Sequence, residues 1–203
     1  MNEKKNSSAL IVIDVQNDFC TGGALAVPEG ETIVEGINRL MTSFSTIVLT
    51  QDWHPENHSS FASQHEGQEP FDMVELSYGK QVLWPDHCVQ DTFGAEFHKD
   101  LDVSLADHVV RKGFRAGVDS YSAFFENDQV TATGLQDYLN DRSIEKVTLC
   151  GLATDFCVFY SAMDAVKCGF KVEVVQDLCR AIDMDNSLEN AINAMKDAGV
   201  VLV

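Results

Sequence analysis

The sequence predicts an α/β protein, a three-layer sandwich built on a mostly parallel, doubly wound sheet of six strands. Two observations carry that reading. Short β-branched runs alternate with helical patterns from one end of the chain to the other, as β-α-β units require. Several of those runs are apolar at every position, as strands covered by helices on both faces must be. A third observation bounds the size: 203 residues with 45% hydrophobic content suffice for one sizeable core but not for two comfortable domains. One domain is expected over residues 1–203, with no repeat, linker or low-complexity tract to divide it.

The first strand is read at 8–14, SALIVID. Behind it Ile33, Ile37, Leu40, Met41 and Phe44 recur at helical spacing and predict a helix with one buried face. The second and third strands are STIVLTQ at 45–51 and DHVVRK at 107–112. Between them, residues 52–106 show little periodicity yet hold five of the six histidines. A loop of that length in a compact domain is usually functional or disordered, and the DWHP, SFAS and LWPDHC segments argue against disorder. The fourth strand is KVTLCG at 146–151, followed by a helix start with Thr154 as its N-cap. The fifth and sixth strands are FKVEVVQ at 170–176 and GVVLV at 199–203. Leu188, Ala191, Ile192 and Met195 make a helical stripe before the last strand, behind Asn186 and Glu189 at capping-box spacing.

Fourteen Lys and Arg against 32 Asp and Glu give a net charge of −18, which opposes attraction to phosphate backbones and anionic membranes. Nucleic acid and membrane are therefore not expected partners, whereas a neutral small molecule is unaffected. The opening MNEKKNSS is polar, and the apolar ALIVIDV behind it is too short for a membrane span and lacks a cleavage pattern. A cytoplasmic protein is expected. Its six cysteines include no C-x-x-C pair and should remain thiols, most of them packed as small apolar residues. A homo-oligomer is compatible with the sequence, which carries no signature of one.

Ligands of open parallel sheets bind beyond the carboxyl ends of the strands. There the first strand delivers Asp14, the second Asp52 and His54, the third Lys112, and the fourth the turn that leads to Cys157. Each has an ordinary explanation alone: a capping carboxylate, a chance D-x-H, a surface cation, a buried thiol. Their arrival at one edge is what the ordinary explanations leave to coincidence. Asp52 and His54, two apart on extended chain, point to the same side and suit one metal ion. Cys157, at position N3 after a Thr154 cap, would have its thiolate stabilised by the helix terminus and by Lys112, lowering its pKa below the free value of about 8.5. Asp14, if buried, would be held partly protonated and could exchange a proton with the sulfur. The N–H groups of Ala153 and Cys157 could form an oxyanion hole, a geometry suited to acyl transfer from an amide or ester.

The segments VIDVQNDFCTGGALAV, QDWHPENHSSFAS, LWPDHCVQDTFGAEFH, VVRKGFRAGVDSYSAF and GLATDFCV together resemble the cysteine-hydrolase superfamily of nicotinamidases, isochorismatases and N-carbamoylsarcosine amidases, along essentially the full chain. The resemblance is to its nicotinamidase branch. It implies an isochorismatase-like fold, a catalytic triad of Asp14, Lys112 and Cys157, and a metal set of Asp52, His54 and His87. It further implies a cis peptide between Leu152 and Ala153, and pocket walls at Phe19, Trp84 and Tyr121, whose aromatic faces suit a flat pyridine ring. His58 is a further candidate ligand. One carboxylate and two imidazoles suit zinc, with iron or manganese as chemical alternatives. The implied reaction is hydrolysis of nicotinamide to nicotinate and ammonia through a thioester, a step of NAD salvage. Rival readings are a metal-free relative acting on isochorismate or another small substrate, and a binding protein that has lost catalysis. The D-x-H pair with WPDHC speaks against the first, and the intact acid, lysine and thiol against the second.

Overall fold

A computed structural model describes residues 7–203 of the chain. Residues 1–6, most of the polar opening segment, lie outside the described residues. Six strands form one parallel sheet: β1 (Ser8–Ile13), β2 (Ile47–Asp52), β5 (His108–Lys112), β6 (Lys146–Leu152), β7 (Lys171–Arg180) and β8 (Val201–Leu202), in the order β5-β2-β1-β6-β7-β8. Among the described residues four α-helices accompany them: α1 (Val34–Met41), α2 (Leu135–Asp141), α3 (Phe159–Lys167) and α4 (Ser187–Asp197). Among the described residues no helix is long and apolar enough to cross a membrane.

The central strand explains the rest. Every side chain from Ala9 to Ile13 is 1% exposed or less, so both faces of β1 are covered. The chain steps from β1 outward to β2 and β5, then returns across the sheet to β6 and proceeds to β7 and β8. Right-handed crossovers in opposite directions put helices on opposite faces, and the reversal opens a crevice between the carboxyl ends of β1 and β6. That is where the candidate residues collect. Gly151 on β6 faces the end of β1 so closely that a Cβ would overlap the Ile13 backbone, and its φ of +119° suits glycine alone. The β6–β7 register shifts at the same place.

Three elements differ from the sequence reading. Residues 73–82 form an antiparallel hairpin, β3 (Met73–Leu76) and β4 (Gly79–Val82), inside the stretch read as irregular. β7 runs to Arg180 rather than ending near 176, because its polar end pairs with Gly151 and Leu152. Asn186 precedes α4 with φ at +65° and its side chain caps nothing, so the capping box is not formed. The oxygen of Ser187 instead bonds the buried Asp155 carboxylate.

Candidate active site

β1 ends at Ile13, and Asp14 follows at a φ of +48°, which turns its fully buried carboxylate back toward β2. Thr50 Oγ donates to Asp14 Oδ1 at 2.6 Å while accepting from the Asp14 N–H at 3.1 Å. Lys112, the last residue of β5, is 1% exposed; its ammonium lies 2.7 Å from Asp14 Oδ2, pairs closely with Asp52 Oδ1, and approaches Cys157 Sγ at 3.4 Å. Atoms of the Asp14 and Asp52 carboxylates and the Cys157 sulfur all lie within 4.8 Å of one another. Sulfur, carboxyl and ammonium thus meet from three strands and one turn. An ammonium survives at this depth because two carboxylates flank it; they outweigh the burial that opposes its charge and hold its pKa well above the usual value.

The segment holding Cys157 departs from the expected α-helical start. Thr154–Val158 is a π-helical turn entered from Ala153, and α3 begins only at Phe159. The Ala153 carbonyl accepts from both Phe156 and Val158, so Thr154 is not the N-cap and Cys157 is not at N3 of an α-helix. The peptide between Leu152 and Ala153 is cis. The expected lowering of the thiol pKa is also reversed. Burial pushes Cys157 well above the ordinary thiol value, and Lys112 opposes this less than burial and the flanking carboxylates promote it. Asp14 behaves as expected: burial, against the pull of Lys112, raises its carboxyl to about 6.

Asp52 and His54 leave the end of β2 on the same side, and His87 reaches them from the loop after β4. Asp52 Oδ2 is 3.7 Å from His54 Nε2 and 3.9 Å from His87 Nε2. Each imidazole is fixed by its other nitrogen: His54 Nδ1 lies 2.8 Å from the Gly113 carbonyl, and His87 Nδ1 lies 2.8 Å from that of Pro85. Both carbonyls accept, so each Nδ1 carries the proton and each Nε2 lone pair faces Asp52, the second-sphere arrangement of metal-binding histidines. Burial, helped by His54, lowers His87 to about 4, leaving it neutral. Burial opposes protonation of His54 too, but Asp52 and Asp119 outweigh it and raise its pKa. Burial alone would raise Asp52, yet Lys112 and the two histidines hold it below the carboxylate range. This donor set fits a divalent cation. His58 is fully buried nearby, with Nδ1 2.7 Å from Ser60 Oγ and Nε2 3.3 Å from the Val118 carbonyl, so both ring nitrogens already have partners.

Phe19, Trp84 and Tyr121 line one pocket with Asp52, His54, His87, Ala153 and Cys157. Trp84 and Phe156 meet edge to face at 4.9 Å between ring centroids, and Tyr121 accepts the Trp84 indole N–H at 3.1 Å. Sequence reasoning missed Phe156, Leu25, Ile182 and Asp119 on the same wall. It also missed Gln16, which is fully buried and grips the Asp52 backbone twice, its amide donating to the Asp52 carbonyl and its oxygen accepting the Asp52 N–H, both at 2.8 Å. Its place two residues beyond Asp14 was an available signal; Asp119 offered none.

Residues 8–203 match the isochorismatase domain family. A nicotinamidase of Acinetobacter baylyi is 54% identical over 198 residues, covering 98% of this chain and 92% of that protein. The solved nicotinamidase and pyrazinamidase of Acinetobacter baumanii is similar in structure, with a TM-score of 0.97 at 53% identity, covering 99% of this chain and 97% of that one. A protein of L. infantum in complex with nicotinate gives a TM-score of 0.86 at 41% identity, covering 100% and 95% of the two chains. The pyrazinamidase of Pyrococcus horikoshii in complex with zinc gives 0.79 at 37% identity, covering 97% and 98%. On both sequence and structure, this chain belongs to the isochorismatase family.

Proposed function

We propose that this protein hydrolyses nicotinamide to nicotinate and ammonia in the cytoplasm, as a step of NAD salvage. The observation that carries the reading is that Cys157, which meets the buried Asp14 and Lys112, opens onto the same aromatic-walled pocket as Asp52, His54 and His87. The similarity to nicotinamidases and to a nicotinate-bound protein supports it, and the zinc-bound pyrazinamidase supports zinc as the ion that Asp52, His54 and His87 would hold. When bound, that ion supplies a Lewis-acid anchor for the pyridine nitrogen.

The remaining steps belong to the chain's own side chains. Phe19, Trp84 and Tyr121 confine the flat ring and present its carboxamide to Cys157. The Asp14 carboxylate takes the thiol proton as sulfur attacks the amide carbon, and the N–H groups of Ala153 and Cys157 receive the developing oxyanion. Asp14 then returns the proton to the departing nitrogen, releasing ammonia and leaving a thioester. With Asp14 again ionised, it deprotonates a water that attacks the thioester, giving nicotinate and restoring the thiol. Lys112 keeps its charge throughout and steadies both anions as the proton moves between them. Ammonia release from a panel of amides, with and without chelator, tests the reading. Nicotinamide turnover that chelation removes and zinc restores supports it, and a purified protein inert toward nicotinamide under both conditions ends it.

A further inference from the structure

Asp119 lies in the loop after β5, 2% exposed on the pocket wall, and nothing above gives it a role. Its carboxylate is firmly aimed: Oδ1 accepts from the Ser120 N–H at 2.7 Å and Oδ2 from Gln81 Nε2 at 3.0 Å. Gln81 is itself fully buried on β4, its oxygen accepting from Tyr78 and Asn127. Neutral donors orient a buried carboxylate but do not discharge it, and among the described residues no lysine or arginine pairs with Asp119. What it faces is the imidazole cluster. Ligating atoms of Asp119, His54 and His58 fall within 4.8 Å of one another, as do those of Asp52, His54 and His87.

These are not two separate metal sites. His58 has both ring nitrogens engaged and His54 Nδ1 is committed to Gly113, so the two groups share one free nitrogen, His54 Nε2. Asp119 and Asp52 therefore flank the same ion position. Asp52, the single carboxylate of the ligand set, is already matched by Lys112. A dication would add two positive charges beside Asp52, which shares Lys112 with Asp14, and Asp119 is the buried carboxylate facing His54 that no lysine or arginine pairs with among the described residues. We propose that Asp119 is the second carboxylate of the metal site, balancing the charge of the ion from beside His54 and so raising the affinity of Asp52, His54 and His87 for it. This rests on the metal reading given above. It also assigns a purpose to the β3–β4 hairpin, which delivers Gln81 to hold Asp119 in place.

The test is zinc affinity of the purified full chain, read by competition with a chromophoric chelator and independent of turnover. Asp119→Asn keeps the shape and removes the charge; its zinc Kd should rise about 10- to 100-fold, the range for removed outer-sphere partners. Gln81→Leu leaves the charge but removes the amide that aims it, and should weaken zinc by a smaller factor. Metal-free Asp119→Asn should melt within a few degrees of metal-free wild type, since its role needs the ion. A zinc Kd unchanged within about twofold in both variants overturns the proposal, and so does an unfolded Asp119→Asn alongside an unaltered Gln81→Leu. Asp52→Ala is the reference: if it loses zinc while Asp119→Asn does not, the metal reading stands and only the role of Asp119 falls.

Discussion

Burial raises the Cys157 thiol and the Asp14 carboxyl together, and this decides where the proton rests. In the resting site sulfur keeps it, and the nucleophile is made only when Asp14 is ionised to receive it. The sign follows directly. Asp14, raised to about 6, is a base above that pH and a neutral acid below it, so kcat/KM for nicotinamide, measured with zinc saturating, should fall as pH drops through about 6. A flat profile from pH 5 to 8 would remove Asp14 from the base role. Asp14→Asn should abolish turnover across the range. Cys157→Ala should lower kcat by about 10³-fold or more, because no other group can carry the acyl intermediate, while zinc content by metal analysis stays at the wild-type level. Retained amidase activity in that variant would show the covalent route to be wrong. Because Lys112 touches both partners and also Asp52, Lys112→Met leaves two buried carboxylates without a cation, so it should cost folding stability as well as rate.

At the scale of elements, the site depends on contacts that hold loops against strand ends. Gly113 follows β5 at φ +65°, and a Cβ there would collide with the His54 imidazole. Gly113→Ala should therefore push that ring off its carbonyl partner and weaken zinc binding in the same competition assay; an unchanged Kd would mean the loop yields instead. Gln16→Ala strands the buried Asp52 N–H and weakens the partnering of two carbonyls, at about 1–3 kcal/mol for each group left unpaired, so denaturant titration should show a loss in that range or above. Which elements the sequence made legible follows the same physics. Strands β1, β2 and β6 are visible because both their faces are covered, leaving nearly unbroken apolar runs, whereas β5, β7 and β8 show only shorter β-branched stretches; Asp14, Asp52, Lys112 and Cys157 are visible because strand ends deliver them. The β3–β4 hairpin is short, half-buried to exposed and mixes apolar with polar residues, and its buried position at Gln81 is polar, so its pairing writes no clean hydrophobic pattern. The pitch of the turn at Thr154–Val158 is set by where the Ala153 carbonyl finds its donors, which spacing does not encode. Asp119 escapes for a related reason: its neighbours come from β4 and from the 54–58 segment, far away in sequence.

At the scale of the whole molecule, the reversal of strand order between β1 and β6 gathers acid, lysine, thiol and imidazoles from distant parts of the chain into one crevice. The unfolded chain has no such gathering, so an ion that binds the assembled set binds the folded state and stabilises it by mass action. At zinc concentrations about 100 times Kd the gain is about 2.7 kcal/mol, and for a chain of this size that corresponds to a Tm rise of about 5–10 °C. The comparison is chelator-stripped protein against the same sample with zinc restored. Asp52→Ala, which removes a ligand, should show no zinc-dependent rise, and that control separates the site from adventitious binding to a surface of net charge −18. Scattered surface carboxylates would bind zinc in either protein, whereas the ordered set of Asp52, His54 and His87 exists only in the unmutated one. If stripped and restored wild type melt at the same temperature, no ion is held there, and the pyridine ring must be fixed by the aromatic walls alone.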